Sequence, residues 1–165
     1  MQTEIIDDRR AWDRILRELG ALRRTVVTIG VHSDQAARPG DSLTNPQLAA
    51  IHEFGGGNVP ERSFLRATVD QDRSIDTFAR DQAAQVATGS MPARQAGERI
   101  GIIATAAVKR RIRAHIPPPL AAVTIERKLG KGAHGGGLAS KAGDAAAPLI
   151  DTGQLINSIT YQVKP

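Results

Sequence analysis

Apolar positions at three- and four-residue spacing open the chain. Trp12, Ile15, Leu16, Leu19 and Leu22 fall on one side of a predicted helix over residues 7–22, with Asp7 or Asp8 as its start signal. TVVTIGV (25–31) breaks that period. Its β-branched residues suit a strand, and Val26, Val27, Ile29 and Val31 do not alternate cleanly, so both faces are expected to be partly covered. Residues 32–44 are polar around Pro39-Gly40 and read as a flexible loop. Asn45-Pro46 opens a short helix, asparagine at the cap and proline in the first turn, with Leu48, Ile51 and Phe54 as its apolar side and Gly55, Gly56 and Gly57 as its end.

Asp70 is placed to cap a further helix that carries Ile75, Phe78, Gln82 and Val86 on one side and breaks at Gly89-Ser90. Pro92 begins the longest helix, roughly 91–115. Its stripe of Ile100, Ile103, Ala104, Ala107, Val108 and Ile112 is narrow and small, which favours close packing against a sheet or a second helix. Pro117-Pro118-Pro119 stop it. Residues 130–147 hold six glycines and six alanines and read as a second flexible loop. Asp151 is expected to cap a short helical turn in LIDTGQLINS. SITYQV (158–163) then forms a last strand with Ile159, Tyr161 and Val163 on one face. The predicted fold is α+β: one domain over residues 1–165, with a small antiparallel or mixed sheet packed against amphipathic helices, one of them long. The first and last strands are candidates to pair.

Composition sharpens this. Twenty-five of the apolar residues are alanine, and only Trp12, Phe54, Phe64, Phe78 and Tyr161 are aromatic. A core of that kind is thin, which points to neighbouring subunits completing it. There is no cysteine, so disulfides, thiolate metal sites and cysteine nucleophiles are excluded. No apolar run approaches the roughly 20 residues that span a bilayer, and the N-terminus carries no signal-peptide pattern, so no membrane role is expected.

The net charge is +5, and its excess sits in one place. Residues 94–131 carry nine basic and two acidic side chains, a difference of +7. Lys109, Arg110, Arg111, Arg113, Arg127 and Lys128 are the candidates to face DNA or partner subunits. The first four cover three sides of a helix end, so they do not form one groove-reading face, and cations there also complement the helix dipole. No aromatic residue interleaves them for base stacking.

Enzymatic motifs are weak. His52-Glu53 starts an HExxH pattern, but position 56 is glycine, so the second ligand is missing. Gly130, Gly132 and Gly135 match GxGxxG formally, yet more glycine follows where a nucleotide-binding helix should begin. No catalytic residue, cofactor or metal is expected.

Two stretches carry a resemblance: IHEFGGGNVPERSFLRATVD (51–70) and PLIDTGQLINSITYQV (148–163), with PPPLAAVTIERK (117–128) between them. In this order they resemble the small tail-completion and neck proteins of long-tailed bacteriophages, also called virion-morphogenesis or head–tail joining proteins. Glu53, Phe54, Gly55, Pro60, Arg62, Phe64, Leu65 and Arg66 match the first box. Thr124, Ile125 and Lys128 match the middle stretch, and Leu149, Asp151, Thr152, Gly153, Leu155, Ser158 and Ile159 match the last. Ser63 departs from a frequent proline, and the glycine run at 55–57 is longer than a plain EFG turn.

The resemblance implies a non-enzymatic virion protein at the head–tail junction, a neck or tail-completion component. It implies a homo-oligomeric ring, typically sixfold, that touches connector, stopper and tail-tube proteins, with genome DNA passing through or near it. The alternative is a small basic nucleic-acid-binding protein. Within the first box, Phe64-Leu65 either plug the chain's own core or anchor a neighbouring subunit. Asp151-Thr152-Gly153 read as a cap and turn that aim the last strand.

Overall fold

The computed structural model describes residues 9–32, 43–132 and 147–165. Among these the order is α1 (Arg9–Arg24), β1 (Val26–Val31), α2 (Asn45–Phe54), α3 (Arg66–Gln71), α4 (Arg73–Ala87), α5 (Ala93–Arg113), α6 (Ala122–Gly132), α7 (Gln154–Ser158) and β2 (Ile159–Lys164). The fold is α+β, with a two-stranded antiparallel sheet and one long helix, as expected. Residues 33–42 and 133–146, most of the two expected flexible loops, lie outside the described residues.

The first and last strands do pair, from Val26 opposite Lys164 to Val31 opposite Ile159. One face of this ribbon lies on α5, and glycine makes that approach close. A Cβ on Gly97 would stand 3.0 Å from Thr25 Cγ2 and Val163 Cγ1, and one on Gly101 would stand 2.3 Å from Tyr161 Cδ2. Val27, Tyr161 and Val163 therefore face the helix. The main core lies beyond, where Phe64, Val108, Ile112, Ile116, Leu155, Ile156 and Ile159 meet. A smaller cluster of Val86, Met91, Ala93 and Ala96 joins α4 and α5, with Ala21 and Leu22 of α1 against it.

Several expectations are corrected. The cap of α2 is Thr44, not Asn45: its hydroxyl accepts from Gln47 N while the Gln47 side chain accepts from Thr44 N, a reciprocal capping box. The cap of α4 is Asp72, not Asp70, because a separate turn of helix, α3, occupies residues 66–71. The sequence divides residues 122–132 between a motif and a loop, yet they form one helix, α6, that runs to Gly132. Trp12, Leu16 and Ile103, expected on buried faces, are 60%, 49% and 37% exposed.

Candidate functional site

Glu53 organises the first motif box. It sits in the last turn of α2, and Gly55 follows with φ 73°, which turns the chain back along the helix it has just left. A Cβ at Gly55 would stand 3.0 Å from Glu61 N, so the close return of the chain and the positive φ together disfavour a side chain there. Arg62 N donates to His52 O at 2.7 Å and pins this return. The buried Glu53 carboxylate then collects five donors. Oε2 accepts from Phe64 N and Leu65 N at 2.9 Å each. Oε1 accepts from Ser63 Oγ at 2.7 Å, Arg66 N at 3.0 Å and Arg66 Nε at 3.1 Å. Leu65, the cap residue of α3, offers no side-chain acceptor, so Glu53 caps that helix from a distance in sequence. Burial alone would raise its pKa. The bonds from Leu65, Ser63, Arg66 and Phe64 outweigh it and hold the carboxyl below its ordinary value.

The other residues of the box divide by direction. Phe64 is fully buried in this chain's own core, so it is not the surface anchor that the motif allowed; Leu65 packs beside it, partly buried. Arg62 is also buried, and its guanidinium donates to Pro118 O at 3.0 and 2.8 Å and to Pro119 O at 3.4 Å. It thereby clamps the proline segment that ends α5. Phe54 points outward, 62% exposed, with the Arg66 guanidinium 4.7 Å from its ring centroid. Arg66 is held there by Glu53 O and by Glu61 Oε1 at 2.8 Å. Pro60 is exposed. Ser63, the departure from the pattern, is built in, donating to Glu53 and accepting from Ala67 N at 3.2 Å.

The middle stretch and the last box meet this scaffold at one cavity of about 250 Å³, whose walls include His52, Thr124, Lys128, Leu149, Gln154 and Leu155. Asp151, Thr152 and Gly153 line it as well. Lys128 crosses from α6 and donates to Ala147 O at 2.8 Å and to Ile150 O. It thus ties α6 to the last box.

Asp151 is exposed and is not the cap of α7. That position falls two residues later on Gly153, which takes a left-handed conformation (φ 79°, ψ 0°) and has no side chain to accept with. Leu149 also holds a positive φ of 65°, a strained conformation for a non-glycine residue. His52 Nδ1 and Gln154 Oε1 are buried without a hydrogen-bond partner among the described residues. Burial, then Arg62 and Lys128 nearby, lower the His52 pKa, which keeps the ring neutral. Sequence reasoning met His52 only as the first half of an incomplete HExxH pattern and missed Gln154. The signal available was only their place inside the two motif stretches.

The remaining cations also divide. Arg110 pairs with Asp72 Oδ2 at 2.8 Å. Arg111 donates to Ser63 O at 3.3 Å and Gln71 Oε1 at 3.1 Å. Both brace α5 against the α3–α4 junction. Arg113 and Arg127 are exposed and Lys109 is half-buried, and none of the three makes an ion pair among the described residues. No group of three His, Asp or Glu residues suited to a metal occurs among the described residues, and no described helix is long and apolar enough to cross a membrane.

No family model, curated protein or solved structure matches this chain.

Proposed function

We propose that this chain is a structural protein of a bacteriophage head–tail junction, a neck or tail-completion component that works as a homo-oligomeric ring. The observation that carries the reading is the ordered set of motif boxes, together with what each does. Glu53 and Arg62 hold the first box as a rigid loop, and Lys128 ties the middle stretch to the last box across one cavity. These interactions build shape, and they leave Trp12, Leu16, Phe54, Ile102 and Val123 on the surface. In the proposed ring, neighbouring copies cover these side chains. The competing reading, a small nucleic-acid-binding protein, is weakened because Arg110, Arg111 and Lys128 are engaged within the chain.

The test is electron microscopy of a lysate in which this reading frame stops early, at Trp12. DNA-filled heads lying apart from tails, or tails of uncontrolled length, are the expected result. Normal infectious particles would overturn the proposal.

A further inference from the structure

Among the described residues, no strand pairs with the outer edge of β1 or of β2: the two strands pair only with each other. Among the described residues, the one further hydrogen bond to their backbone is a long one, Thr28 Oγ1 to Gln162 O at 3.5 Å. Every residue of β1 except Gly30, and every residue of β2 after Ile159, remains at least partly exposed. Open edges are templates for another strand, and soluble proteins block them with proline, charge or a bulge. The six pairs run without interruption, neither strand contains proline, and the one charge is Lys164 at the last position.

We propose that a second copy of this chain fills these edges: the outer edge of β2 in one copy pairs antiparallel with the outer edge of β1 in the next. The two free edges belong to one chain, are equal in length, and carry the same alternation. Joining them continues both rows of the sheet. Val27, Ile29 and Val31 with Ile159, Tyr161 and Val163 stay in the row that includes the α5 contact, and Thr28, Thr160 and Gln162 stay in the other. A one-residue slip would set one row against the other, so the seam excludes slips by an odd number of residues.

Strand direction alternates along such a seam, which gives neighbouring copies the same orientation. Each copy then offers one β1 edge and one β2 edge, a heterologous contact of the kind that closes rings. The seam gives the proposed ring its contact surface but does not depend on where in a virion that ring sits.

The chain has no native cysteine, so single cysteines report cleanly. Thr28→Cys and Gln162→Cys, made separately in the full chain with tags of different size, are mixed and oxidised. The expected product is a disulfide between the two variants that neither forms when oxidised alone. A Thr28→Cys or Gln162→Cys homodimer would overturn the heterologous seam.

Hydrogen exchange on the unaltered chain gives a reading that needs no substitution. Alternate amides of β1 and β2 should exchange fast in dilute solution and slow by at least about tenfold on association. Three results would overturn the seam: association without that protection, a chain that stays monomeric at high concentration, or full protection already present in the monomer. A seam that holds while the lysate contains normal particles would sink the head–tail reading alone.

Discussion

Glu53 shows how a single buried charge can set the geometry of a loop. Its carboxylate faces three backbone N–H groups, the Ser63 hydroxyl and the Arg66 guanidinium. A neutral amide in the same place keeps the size but turns an N–H₂ toward donors. Glu53→Gln should therefore cost about 3 kcal/mol, a fall in the thermal midpoint of roughly 6–12 °C for a chain of this size. The pH dependence follows from the direction of the shift. The Glu53 pKa is lower folded than unfolded, so its stabilisation is complete above the unfolded value of about 4.3 and is lost as pH falls through the folded one. His52 is also depressed, so the unfolded chain takes its proton first and stability begins to decline below about pH 6.5. Urea midpoints measured from pH 7 to pH 3 should show both limbs in the parent chain. In Glu53→Gln the decline that begins near pH 6.5 should persist while the more acidic limb flattens; an unchanged profile would mean that the carboxylate is not held as described.

Among the elements, α5 has the least tolerance, because two glycines one turn apart let the sheet rest on its backbone. In a solvent-facing helix Gly→Ala gains about 1 kcal/mol from helix propensity. At Gly101 the new Cβ would lie 2.3 Å from the Tyr161 ring, so overpacking of about 1–3 kcal/mol should reverse the sign. Gly101→Ala is expected to lower the thermal midpoint, and adding Tyr161→Val should recover part of the loss in a double-mutant cycle. Additivity of the two changes would refute the contact.

This packing also marks the limit of what was legible in the sequence. Periodicity and breakers located α1, α2, α4, α5 and both strands, since these depend on local spacing and on glycine or proline. The caps at Thr44 and Asp72 were missed by one and two residues, because several cap-forming residues crowd each start and only tertiary packing selects among them. Helix α6 was missed because its sequence was absorbed into a motif and ends in glycine. At the site, the boxes were visible as patterns, but not that Glu53 is their acceptor or that Lys128 joins two of them. Those contacts span 11 to 22 residues, beyond the reach of spacing rules.

At the scale of the molecule, α1 is the helix whose apolar side is covered least by the rest of the described chain. No residue of α1 is buried, and Trp12 and Leu16 stand one turn apart on its open side. Burying a large apolar side chain is worth about 1.5–3 kcal/mol, a gain that the isolated chain leaves mostly unrealised here. Removing these side chains should thus hardly change folding. Trp12→Ala and Leu16→Ala are expected to shift the unfolding free energy by no more than about 0.5 kcal/mol, as surface substitutions do. If α1 lies against a neighbour, the same changes should weaken association by at least about tenfold each, the size of a buried anchor at an interface. Chemical denaturation and sedimentation velocity on the same samples separate the two effects. A loss of 2–5 kcal/mol in folding, typical of core truncation, would mean that the apolar face of α1 is completed within one chain. The sheet edges would then have to carry the assembly without α1.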